Sequence, residues 1–115
     1  MKPMPRKISW IKPALKAVQR FPASVQREIA TALAIAAAGE KSDIAKPMKG
    51  MGAGVLEIAL KHHRDAYRAV YAVKIGKDVW VLHAFQKKSK TGIKTPKEET
   101  DVIRERLKRL KEELQ

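Results

Sequence analysis

The chain contains no cysteine, which excludes disulfides, thiolate nucleophiles and cysteine-based metal sites. Aromatic residues make up only 5% of it. The longest purely apolar run, Ala32 to Ala38, is seven residues, far short of the roughly 20 a membrane-spanning helix needs. The opening Met1-Lys2-Pro3-Met4-Pro5 carries charge but lacks the apolar stretch of a secretory signal. Together these absences predict a cytoplasmic protein without membrane contact. Acidic residues are also scarce: 12 Asp and Glu stand against 25 Lys and Arg, a formal charge of +13.

What is present is enough for a core. The 44% hydrophobic content is too high for a disordered basic tail. A chain of 115 residues buries about two-thirds of its unfolded surface, so one domain spanning residues 1–115 needs no staple. The positive charge is unevenly placed. Lys97 to Gln115 holds six basic and six acidic residues, so the whole +13 lies before that stretch. Such a body attracts polyanions, nucleic acid first among them, with acidic proteins, anionic lipid and simple solubility as the other readings.

Periodicity predicts the elements. Arg6 to Ile11, bounded by Pro13, reads as an edge strand. Pro13 to Arg20 reads as two helical turns stopped at Phe21-Pro22. Pro22 opens a longer helix in which Val25, Ile29, Leu33 and Ala36 form one stripe, with Gly39 as its C-cap. Glu40 to Gly54 reads as a loop. Three strands follow, Val55 to Leu60, Ala66 to Ile75 and Asp78 to Gln86, the last two joined by a tight turn at Gly76-Lys77-Asp78. Val79-Trp80-Val81-Leu82 is apolar on both faces and therefore belongs inside the sheet. Thr95-Pro96-Lys97-Glu98 matches a capping box for a last helix carrying Ile103, Leu107, Leu110 and Leu114. The expected fold is α+β in the order βααβββα: a small antiparallel sheet, two N-terminal helices on one face, and a C-terminal helix.

No local motif for a metal, nucleotide or triad enzyme is present. Gly50-Met51-Gly52-Ala53-Gly54 lacks the Gly-Lys-Ser/Thr of a phosphate loop and precedes a strand, so it reads as a turn. His62 and His63 are adjacent, should point apart, and have no carboxylate at ligand spacing; no metal is expected. The run Phe85-Gln86-Lys87-Lys88-Ser89-Lys90 closes the third strand, where lysines either grip phosphates or form a solvated basic loop. Arg68 sits charged among apolar strand neighbours and either binds an anion or snorkels over the sheet. Alternation sets it opposite Tyr67, Ala69 and Tyr71, on the open sheet surface if those three face the core. His83, in an apolar strand, is either an acid/base or a hydrogen-bonded core residue.

Lys46-Pro47-Met48-Lys49-Gly50, Val55-Leu56-Glu57-Ile58, Tyr67-Arg68-Ala69-Val70-Tyr71 and Val79 to Ser89 together resemble the phage-derived, HigB-like branch of the RelE/ParE toxin superfamily. The resemblance continues through Thr95-Pro96 into the terminal helix and covers most of the chain. It implies the toxin of a type II toxin–antitoxin module, an mRNA interferase acting in the ribosomal A site without metal or cofactor. In such enzymes the ribose 2′-OH attacks its own 3′ phosphodiester and basic side chains stabilise the phosphate. Carried over by position, the resemblance gives Arg68 and Lys88 as catalytic phosphate stabilisers and Lys87 as a contact to RNA backbone. His83 joins the catalytic candidates only as a side chain of near-neutral pKa, and Lys90, Lys94 and Lys49 join the RNA-binding ones as basic loop residues. The implied partners are a helix-turn-helix antitoxin, the ribosome and mRNA. The chain departs from the pattern in having Glu57 and Ala59 where basic residues are expected, and in ending without a terminal tyrosine or histidine. Glu57 is then a candidate general base or a paired strand carboxylate. The alternative is a non-enzymatic member of the superfamily, a ParE-like gyrase inhibitor or a phage protein binding a host factor.

Overall fold

The computed structural model describes residues 4–87 and 94–114. Its elements are β1 (Ile8–Trp10), α1 (Lys12–Gln19), α2 (Ala23–Ala37), β2 (Ala45–Pro47), β3 (Val55–His62), β4 (Asp65–Ala72), β5 (Val79–Lys87) and α3 (Lys97–Leu114). The strands form one sheet in the order β1-β5-β4-β3-β2. The expected α+β architecture holds, with β5 inside the sheet as its two apolar faces require.

The signals of the two N-terminal helices act as read. Pro13 lies in the first turn of α1, and Pro22 ends one helix and caps the next. At the far end of α2, Gly39 takes a φ of 91°. Its N–H donates to Ala36 O and that of Glu40 to Ile35 O, a Schellman closure. Val25, Ile29, Leu33 and Ala36 are all buried against Tyr67, Ala69, Tyr71, Val79 and Val81. On the opposite face, Ile103, Leu107 and Leu110 of α3 cover Val55, Val70, Ala72 and Leu82. Among the described residues, no helix is long and apolar enough to cross a membrane.

Four details differ from the sequence reading. The sheet is antiparallel from β2 to β5, but β1 joins β5 in parallel, Ile8 opposite Val79. Local alternation encodes a strand and says nothing of its direction beside a distant partner. The segment expected as loop contains β2, which pairs Ala45 with Ile58; Pro47 is tolerated there because the strand is an edge. β4 ends at Ala72, so its link to β5 is longer than a tight turn. The Arg6 guanidinium donates to the carbonyls of Val73, Lys77 and Asp78 at 2.8–2.9 Å, satisfying groups a ladder would otherwise pair. His63, at a φ of 56°, turns between β3 and β4, which brings its ring to 4.3 Å from that of His62 instead of pointing it away.

One irregularity decides which side chains reach the α3 face. The register pairs Tyr71 with Val81 but Val70 with His83, so Leu82 is an extra residue, a β-bulge. Straight alternation from Val79 and Val81 would send His83 into the core beneath α1 and α2. The bulge turns it to the α3 side.

Candidate functional site

Cross-strand register lines up the α3-side face in rows. Lys46, Glu57, Val70 and His83 form one row, and Ala59, Arg68 and Phe85 the next. Lys61, Ala66 and Lys87 form a third. Paired residues share a face, so Arg68 is flanked diagonally by Glu57 and by two lysine-bearing rows. Its Nη1 donates to Glu57 Oε1 at 2.9 Å, and the two side chains are only 11% and 14% exposed. Thr95 Oγ1 donates to Glu57 Oε2 at 2.7 Å. Both carboxylate oxygens are thereby engaged. Alternation placed Arg68 opposite the buried Tyr67, Ala69 and Tyr71, which holds; it lies in a nearly enclosed ion pair, not on open surface.

The Thr95 hydroxyl is accordingly not a helix cap. α3 begins two residues later, at Lys97, and Pro96 O accepts the N–H groups of Glu99 and Thr100. The expected capping box is displaced because polar groups at this end of the helix are drawn to the sheet: Thr95 to Glu57, and Glu99 to His83.

His83 is buried between α3 and the sheet, its ring stacked on Phe85 at a 5.3 Å centroid distance. Arg106 Nη1 stands 2.9 Å from His83 Nδ1 and donates to Leu82 O at 2.8 Å. Guanidinium only donates, so Nδ1 accepts and the ring proton sits on Nε2, which faces Glu99 Oε1 at 2.8 Å. The imidazole is therefore neutral and doubly engaged. Burial pushes its pKa below the ordinary value and Arg106 adds to that, while the Glu99 carboxylate opposes both. Burial likewise lowers Arg106. Arg106 also anchors the carbonyl that the bulge frees from the ladder.

Of the other candidates, Lys87 Nζ donates to Lys94 O at 2.7 Å, which places these two together at the end of the third row. Lys49 is exposed on the β2–β3 connection, away from that pair. Lys88 and Lys90 lie outside the described residues. Sequence reasoning missed Thr95, Glu99 and Arg106 as members of the site. Their signals were read as capping and as an amphipathic helix, and only the packing of α3 on the sheet joins them to Glu57 and His83. Among the described residues no cluster of His, Asp and Glu could hold a metal ion. The arrangement offers a carboxylate beside a guanidinium, a fixed neutral imidazole and nearby lysines: the means to take a proton and to stabilise an anion.

The model of the family described as phage-derived protein Gp49-like (DUF891) matches residues 16–108. The chain belongs to that family. None of the curated proteins matches it. A free-state structure of a mutant of the E. coli toxin RelE is similar at a TM-score of 0.62 and 21% identity, covering 92% of this chain and 98% of that one. The toxin–antitoxin complex RelBE2 from Mycobacterium tuberculosis is similar at a TM-score of 0.50 and 15% identity, covering 74% and 94%. At these identities the likeness is one of fold. The Gp49-like domain thus has a RelE-like fold.

Proposed function

We propose that this Gp49-like chain is the toxin of a HigB-like toxin–antitoxin module and cuts mRNA on the ribosome. The observation that carries the reading is the Glu57–Arg68 pair on a sheet face rimmed by Lys61 and Lys87. RNA cleavage by its own 2′-OH needs a base for that proton and a cation for the phosphate, and this pair offers both. Glu57 takes the 2′-OH proton as the 2′ oxygen bonds to phosphorus. Arg68 holds the non-bridging oxygens, and Lys88 is assigned a share of the same charge stabilisation. The bond to the 5′ oxygen breaks, water supplies that oxygen's proton, and a 2′,3′-cyclic phosphate remains. Lys87, Lys90, Lys94 and Lys49 bind backbone. His83, neutral and held at both nitrogens, supports the wall of the site through Phe85.

The family resemblance and the RelE-like fold support the ribosome, mRNA and a helix-turn-helix antitoxin as partners in the cytoplasm. Primer extension on an mRNA translated with and without the protein tests the activity. Wild type should give new 5′ ends, and Arg68→Ala should lower their yield about a hundredfold, the loss of roughly 3 kcal/mol of charge stabilisation. Wild-type protein that leaves the mRNA intact would remove the endonuclease reading. A second reading, inhibition of DNA gyrase or capture of a host factor, draws on the enclosure of the Glu57–Arg68 pair, whose opposite charges already meet each other. Gyrase inhibition by a protein that cuts no mRNA would favour it.

A further inference from the structure

Helix α3 falls within a stretch of zero net charge, yet its charges are sorted by side. At 100° per residue, Ile103, Leu107 and Leu110 face the core. Arg104, Lys108 and Lys111 follow one flank, and Glu98, Asp101, Glu105 and Glu112 follow the outer ridge. Asp101 pairs with Lys97 at 3.0 Å and lies 3.8 Å from Arg104, while Glu105 pairs with Arg109 on the far side. Among the described residues neither Lys108 nor Lys111 has an ion-pair partner.

The basic flank faces the glycine-rich β2–β3 connection. Gly50, Met51, Arg104, Leu107, Lys108 and Lys111 line a cavity of about 330 Å³. Gly50, Gly52 and Gly54 have φ of 80°, 92° and 78°, a region that favours glycine. A Cβ on Gly50 would stand 3.7 Å from Arg104 Nη2, and one on Gly54 would strike Lys74 Cγ at 2.6 Å. Lys74 and Arg104 therefore lie across the connection, with exposed Lys49 just before it. Lys46, opposite Glu57, continues the positive charge toward the Arg68 pair.

We infer that this groove, between the basic flank of α3 and the glycine connection, is a second surface that tracks an RNA phosphate backbone. Arg104 to Lys111 spans about 10 Å of helix axis, enough to follow a strand. The acidic outer ridge repels RNA from the solvent side and confines it to the groove. A lipid surface fits poorly, because the large hydrophobics exposed among the described residues are Met4 and Leu114, and neither lines the groove. The inference rests on the RNA-directed part of the functional reading, not on cleavage.

The test is salt-dependent binding of a fluorescent RNA hairpin by three full-length proteins. These are wild type, Lys108→Gln/Lys111→Gln, and Lys12→Gln/Lys16→Gln on α1 across the sheet. Both variants lose the same charge at exposed positions. The α3 variant should flatten the slope of log affinity against log salt by about 1.4–1.8, since each lost phosphate contact removes roughly 0.7–0.9. The α1 variant should keep the wild-type slope. Equal flattening in both, or in neither, overturns the groove. Flattening confined to the α3 variant, in a protein that cuts no mRNA, supports the groove and removes only the endonuclease reading.

Discussion

Beneath α1 and α2 the sheet meets Ile29, Leu33 and Val25 with Tyr67, Tyr71, Val79 and Val81, and among the described residues no charged side chain is buried there. Beneath α3 the same strands present Arg68, Glu57 and His83 among Val70, Leu82 and Ile103. The first face is held by burial, which is non-directional and forgiving of detail. The second depends on directed bonds, each of which fails with large effect when a partner is removed. One surface therefore supplies stability, and the other gives up part of it to hold polar groups in fixed geometry.

The sharpest break of this comparison is Leu33→Ala. Leu33 is fully buried, so the substitution should cost about 3 to 4 kcal/mol in denaturant unfolding and leave the polar contacts under α3 in place. On the polar face, Glu57→Ala takes the carboxylate from the enclosed Arg68 guanidinium and should cost about 2 to 3 kcal/mol. An effect below about 0.5 kcal/mol would mean that the pair is solvated in solution.

Tyr71→Phe sharpens the contrast with the opposite sign. The Tyr71 hydroxyl is buried without a hydrogen-bond partner among the described residues, and burial raises its pKa. Phenylalanine should therefore raise stability by about 1 kcal/mol. A comparable loss instead would show that the hydroxyl has a partner in solution.

The mildest effect concerns pH. The pKa of His83 is lowered by folding, so the unfolded chain binds the extra proton more readily. Its contribution is complete above the unfolded value near 6.5 and fades as pH falls toward the folded one. Unfolding curves from about pH 7.5 to 5 should show stability falling on the acid side, with a shallower fall in His83→Gln. Identical pH dependence in both proteins would mean that His83 does not titrate with folding.

Much of the fold was legible because it rests on local rules. Pro22 and Gly39 bound α2 as proline and glycine should, and the Tyr67, Ala69, Tyr71 alternation selected the buried face. The direction of β1 and the existence of β2 were not, since both depend on partners far along the chain. For the site, alternation put Arg68 on the correct face, but its partner Glu57 lies 11 residues away on another strand. The sequence allowed His83 either of two roles; the Leu82 bulge and the docking of Glu99 and Arg106 fix its surroundings, and neither leaves a mark in composition or period.

The bulge also gives β5 something like a reading frame. Removing Leu82 would straighten the strand and leave His83, Phe85 and Lys87 in phase, at the loss of one apolar contact and the carbonyl that Arg106 holds. Removing Ala84 instead would shift the frame, turning Phe85 toward the solvent-free side beneath the N-terminal helices and carrying Lys87 with it. Length can therefore vary at one point in this strand without changing the frame, and not in the residues after it. Two relatives differing by one residue here can keep or lose the β5 positions that follow, depending on where the gap falls.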